Sequence, residues 1–189
     1  MRVMKVEGFE ELIGVAGYVD VRIIDSNEVL MKLKSGCRTD VQLLSPEYVA
    51  GFEHIYFASL NALKAFRQGR NVSRSLAVEL LVYASGQRQI EKAISSLGIK
   101  DNQKRVVVAA IGLSKDQVVD CIADAAKALG GRMQDSIIDV DSEKKLSAIK
   151  RYFQISGKEM DAARRPEEDE VDIVKKLLIE RMAVLSTSV

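Results

Sequence analysis

The run from Gly69 to Gly98, GRNVSRSLAVELLVYASGQRQIEKAISSLG, constrains the fold more than any other part of this chain. Glycines at its two ends and at Gly86 divide it into short helices, because glycine readily takes the left-handed conformation that ends a helix. Between Gly69 and Gly86, the residues Leu76, Ala77, Val78, Leu80, Leu81, Val82, Tyr83 and Ala84 leave almost no polar face except at Glu79. A helix this apolar is central to a core or covered by a partner. Asn71 or Ser73 is placed to cap it. The next helix, Gln87 to Leu97, is amphipathic: Ile90, Ala93, Ile94 and Leu97 face inward, while Arg88, Gln89, Glu91, Lys92 and Ser95 face out.

Strand and helix signals alternate around this centre. Tyr18 to Ile24 and Val29 to Leu33 are β-rich runs joined by the polar turn Asp25 to Glu28, which predicts a hairpin, and Val41 to Leu44 predicts a third strand. Ser45 and Pro46 open a helix running to about Gln68, with Tyr48, Phe52, Ile55, Tyr56, Leu60, Leu63 and Phe66 on its core stripe. Arg105 to Leu113 reads as a strand buried on both faces, and Ser114 starts a helix that Gly130 and Gly131 end. A strand is expected over Ser136 to Val140, and then a helix capped by Asp141 or Ser142 that runs to about Phe153. Ser156 to Arg165 reads as a polar loop, and a last helix covers Pro166 to Leu185, its acidic start and basic middle matching the helix dipole. The expectation is a mixed α/β (α+β) fold with a small mixed sheet packed against several helices, one domain over residues 1–189. The length of 189 residues and a 47% hydrophobic content are enough to bury such a core.

Chemistry is mostly excluded by what is missing. The chain has no GxxxxGK phosphate loop, GxGxxG turn, GxSxG elbow, HExxH helix or paired CxxC, so no catalytic residue, metal or cofactor is assigned. His54 is the single histidine and sits in a largely apolar helix, which predicts a packing or surface role. Asp139 and Asp141 in IIDVDS have the look of a magnesium-holding strand end, but Asp141 and Ser142 are better explained as a helix cap. Cys37 and Cys121 fit neither a disulfide framework nor a metal spacing and are expected as ordinary thiols in a reducing, cytoplasmic setting. No apolar run reaches the length of a membrane span, and the acidic N-terminus is unlike a signal peptide.

Charge is balanced globally, 28 Lys plus Arg against 27 Asp plus Glu, so an anion site must come from local clustering. Such a cluster runs from Lys64 to Lys92. Arg70, Asn71, Ser73 and Arg74 lie where one helix ends and another begins, so guanidinium groups, polar caps and free backbone N–H groups are expected to converge there, as a phosphate requires. Arg88, Gln89 and Lys92 would add phosphate or base-edge contacts, with Tyr83 or Phe66 available for stacking if exposed. A helix from Asn71 to Ser85 is about 20 Å long, which separates Arg74 from Arg88. If the following helix folds back antiparallel, Lys92 returns toward Arg74 and one basic stripe results.

The stretch EHIYFASLNALKAFRQGRNVSRSLAVELLVYASGQRQIEKAISSLGI also resembles the central signature of the KEOPS (EKC) complex subunit that binds the PRPK/Bud-type kinase, the PRPK-binding protein (TPRKB) family. An aromatic-rich helix, a glycine, an Asn-x-Ser-x-Ser-Leu helix start and a small-Ser-Gly-x-Arg-Gln-Ile turn carry the likeness. The VVVAAIGL strand and the IERMAVLS helix end extend it over most of the chain, and Ala162 to Asp172 matches least. The resemblance implies a noncatalytic, cytoplasmic subunit that docks on the kinase-like ATPase and captures the 3′ CCA end of tRNA for threonylcarbamoyladenosine modification. By motif, Arg70, Asn71, Ser73, Arg74, Arg88, Gln89 and Lys92 would then meet the RNA. A second face must meet the kinase, and the apolar Leu81, Val82, Ile90 and Ile94 are candidates for it. Two alternatives stand beside this reading: a protein-only scaffold of the kinase without RNA binding, and a small enzyme using Asp139 and Asp141 with a divalent ion.

Overall fold

The β-branched run Arg105–Gly112 forms β4, the centre of a sheet in the computed structural model, which describes residues 1–187. β2 (Leu12–Val19) pairs with it antiparallel on one side and β3 (Asp40–Leu44) on the other. The register sets Val15 and Gln42 opposite Ala109, and Gly14 and Val41 opposite Ala110. β1 (Arg2–Lys5) extends the sheet beyond β2, giving the order β1-β2-β4-β3, and the two-residue β5 (Arg132–Met133) pairs with the end of β2.

Alternate residues of β4 go to opposite faces and seed two cores. Val106, Val108 and Ala110 pack with Leu33, Val118, Ile122 and Ala125 beneath α1 (Ser26–Gly36) and α5 (Lys115–Leu129). Val107, Ala109 and Ile111 pack with Ile55, Leu63, Leu80 and Leu81 beneath α2 (Phe52–Gln68) and α3 (Leu76–Ser85). Ala93 and Leu97 of α4 (Ile90–Leu97) join that second core. The sheet is therefore covered on both faces, as the unbroken apolar sequence of β4 requires. A third cluster, with Leu146, Ile149, Met160, Ile173 and Leu178, binds α6 (Glu143–Tyr152), α7 (Gly157–Ala163) and α8 (Glu170–Thr187) together.

The mixed α/β class is as expected, and so are β3, β4, α5 and α6. Several local expectations are overturned, each for a visible reason. Val29 to Leu33 is helical, not a strand: the Asp25 carboxylate caps α1 by accepting from the N–H groups of Asn27 and Glu28, so the supposed hairpin turn is a helix start. The strand of the first run lies upstream, ending at Val19. The helix begun at Pro46 lasts one 3₁₀ turn, and α2 starts afresh after Gly51, whose φ of 106° breaks the helical path. Asp135–Ile137 is a 3₁₀ turn where a strand was expected over Ser136 to Val140. Ser156 to Arg165 is not a loop, because Ser156 and Glu159 form a capping box that starts α7. The final helix begins at Glu170, not Pro166. Cys37 and Cys121 are not free thiols: they form a disulfide with Cα atoms 5.1 Å apart, joining the end of α1 to α5.

Candidate nucleic-acid interface

Gly69 ends α2 in the left-handed conformation, φ 66°, and donates its N–H to Phe66, while the N–H of Arg70 reaches back to Ala65 at 2.9 Å. This pair of bonds fixes the direction in which the chain leaves the helix. Arg70 and Arg74 are both exposed. Between them the loop is held from inside: the Glu79 carboxylate, only 1% exposed, accepts from the N–H groups of Val72 at 3.1 Å and Ser73 at 2.8 Å. Burial raises the Glu79 pKa and these two hydrogen bonds oppose the rise.

The expected cap and the expected free N–H groups are therefore both corrected. α3 begins after Ser75, and neither Asn71 nor Ser73 caps it. The Ser73 side chain is 6% exposed and its hydroxyl accepts from the Ser75 N–H, so it shapes the loop and does not face solvent. Asn71, half-buried, donates its side-chain amide to the Ser73 carbonyl. The Asp40 carboxylate accepts from the Ala77 N–H in the first turn of α3; burial raises the Asp40 pKa, with that bond and Lys34 pulling it down. Asp40 thus sits at the positive end of the helix and Glu79 takes up the N–H groups of the loop before it, where a bound phosphate was anticipated. What remains for an anion is the pair of exposed guanidinium groups.

Arg88, Gln89 and Lys92 are exposed beyond the other end of α3, after Gly86 has turned the chain at φ 65°. Ten helical residues separate the two basic groups, about 15 Å along the axis. The residue of α4 that hydrogen bonds place against α3 is Ser96, and it meets the Ser85 end of that helix, not the Arg74 end. The Tyr152 hydroxyl bonds to the Ser85 carbonyl at 3.0 Å and to the Ser96 hydroxyl at 2.7 Å, so the end of α4 lies beside the end of α3. Of the two aromatics available for stacking, Tyr83 is 6% exposed and Phe66 is half-buried, while the neighbouring Arg67 packs on Phe9 and donates to the Gly8 carbonyl.

The apolar docking candidates divide. Leu81 and Val82 are buried in the core beneath α3, so they cannot form a surface; Ile90 is half-buried and Ile94 is 48% exposed. The magnesium alternative loses its geometry, since Asp141 points to Arg105 at 3.7 Å while Asp139 lies near Gly51. Among the described residues no group of three or more His, Cys, Asp or Glu could hold a metal ion. His54 is a packing residue: its Nδ1 accepts from the Ala50 N–H at 3.1 Å and its Nε2 donates to the Ala84 carbonyl at 2.8 Å. Among the described residues no helix is long and apolar enough to cross a membrane. Glu79 and Asp40 are the residues that sequence reasoning missed. The signal for Glu79 was present, because a lone carboxylate in an apolar helix needs donors supplied by its neighbours.

The family model described as "Kinase binding protein CGI-121" matches residues 19–186. A protein of Methanocaldococcus jannaschii named "Regulatory protein Cgi121" is 28% identical over 116 residues, 61% of this chain and 71% of its own length. The "KEOPS complex subunit Cgi121" of Pyrococcus abyssi is 23% identical over 116 residues, 54% of this chain and 66% of its own length.

Proposed function

This chain belongs to the kinase-binding protein CGI-121 family, and from that premise we propose that it is a noncatalytic KEOPS-type subunit that docks on a kinase-like ATPase and recruits tRNA by its 3′ CCA end for threonylcarbamoyladenosine formation. The names of the two relatives, a regulatory protein and a KEOPS complex subunit, support the assembly part of this reading. The observation that carries the RNA part is the loop from Arg70 to Arg74, which holds two exposed arginines on a backbone locked by a buried carboxylate. A preorganised loop loses little entropy on binding, and paired guanidinium groups suit the phosphates of a single strand. Arg88, Gln89 and Lys92 form a second contact about 15 Å away, so a strand of a few nucleotides could span both. Asn71 and Ser73 support the loop from within.

The protein-only scaffold is the competing reading, and the occupied N-terminus of α3 is the observation in its favour. The deciding measurement is binding of tRNA with and without its terminal CCA at fixed moderate salt, for the native chain and for Arg70→Glu/Arg88→Glu. Removing two phosphate contacts is expected to weaken binding at least tenfold and to flatten its salt dependence by about two counterions. Trimming the CCA is expected to do comparable damage. Weak binding that neither change alters would leave the scaffold reading, with retention of the kinase as its only activity.

A further inference from the structure

A cleft at the opposite end of β3 from the Arg70 loop has no part in the reading above. Asp40, at the start of β3, reaches the first turn of α3, whereas Ser45, just past its end, lines a cavity of about 380 Å³ between the start of β4 and the first turn of α6. Lys104, Arg105, Lys144 and Lys145 line this cavity against Glu47 and Asp141. In a chain whose charges almost cancel, four cations against two anions around one concavity is a local excess.

One of those charges is part of the wall. Lys145 is 8% exposed, and its ammonium donates to the carbonyls of Ile137 at 2.7 Å, Ile138 at 3.2 Å and Asp139 at 2.7 Å. With its three protons committed, Lys145 cannot grip a ligand, but it sets a fixed positive charge in a partly desolvated place, where charge acts strongly. Burial pushes its pKa down to about 8, and among its neighbours Asp141 opposes the fall while Arg105 adds to it. Arg105 makes a long 3.7 Å contact with Asp141, a weak use of a group with five donors. Lys104 and Lys144 are exposed at the rim. α6 also begins here, with Ser142 accepting from the Lys145 N–H, so the positive end of a ten-residue helix faces the same region.

We propose that this cleft binds a phosphate group, with Lys104, Arg105 and Lys144 making the contacts and Lys145 supplying the field behind them. The cavity is larger than a phosphate ion, so the phosphate is carried by something bigger, either a small phosphorylated molecule or the backbone of an RNA. The proposal stands apart from the α3 reading, since it rests on different residues at the other end of the sheet.

The test is amide chemical-shift mapping of the full chain titrated with pyrophosphate and, separately, with a short single-stranded oligoribonucleotide. Shifts concentrated at residues 103–105 and 142–145 are expected, and Lys104→Glu/Lys144→Glu should abolish them while leaving the melting temperature unchanged, since both side chains are exposed. A response to pyrophosphate alone identifies a small phosphorylated ligand. A response to the oligonucleotide that survives Arg70→Glu/Arg88→Glu but is lost in the lysine variant identifies an RNA backbone. No shift at these amides with either probe at millimolar concentration, or shifts that persist after the lysine reversal, would overturn the proposal.

Discussion

His54 shows how one side chain can tie the architecture to solution conditions. Its ring joins the break before α2 to the end of α3, through the Ala50 N–H and the Ala84 carbonyl. The Nδ1 position must stay unprotonated to accept from Ala50, so the neutral ring is the one the fold uses. Burial pushes its pKa from 6.5 down to about 4, with the Ala84 bond opposing and Lys145 adding to the fall. The unfolded chain therefore takes up a proton near pH 6.5 that the folded chain refuses until about pH 4. Stability due to His54 is complete above pH 6.5 and is lost as pH falls toward 4, by at most about 3 kcal/mol. Other groups also titrate in this window, so the comparison to make is native against His54→Gln by denaturant unfolding between pH 4 and 7. The native chain should lose more stability on acidification than the variant; parallel curves would mean that the ring is not buried neutral.

At the scale of elements, α3 and the loop before it behave as one unit. The helix was legible because eight apolar residues surround a single glutamate, and the two glycines that bound it take left-handed conformations. The loop was not legible, because its N–H groups are satisfied by Glu79, six and seven residues ahead, and α3 is also capped from β3 by Asp40. Sequence spacing reports neighbours on one helix face and not a carboxylate that turns back under the preceding loop. The same limit explains Leu81 and Val82, whose apolar character suits a core and a docking face equally until packing decides. Two helix starts do carry a local signal, since Asp25 with Glu28, and Ser156 with Glu159, are capping patterns in the sequence itself. Glu79→Ala is expected to leave the Val72 and Ser73 amides without acceptors, costing about 1–3 kcal/mol. Hydrogen exchange at those two amides should speed up well beyond the rate change within α3. RNA affinity should fall although no arginine has been touched; an unchanged affinity with a loosened loop would mean that the loop's order is unrelated to binding.

For the whole molecule, the disulfide matters most to how the layers hold together. Cys37 follows α1 and Cys121 lies inside α5, so the bond ties two helices on one face of the sheet across 84 residues of sequence. That interval contains β3, α2, α3, α4 and β4, which means that most of the opposite face is enclosed in the cross-linked loop. Closing a loop of this length removes unfolded-state entropy worth about 4.5 kcal/mol in the chain-entropy model. Apolar packing alone would still hold the two helices, since Leu33, Val118, Ile122 and Ala125 share one core around the bond. Reduction should therefore lower the melting temperature, by roughly 10 °C for a chain of this size, without changing the far-ultraviolet circular dichroism at room temperature. Cys37→Ala/Cys121→Ala should melt where the reduced protein does. A melting point indifferent to reductant, with both thiols titratable in the untreated protein, would show that the two sulfurs lie adjacent but unbonded in solution, and the stability of this face would then rest on packing alone.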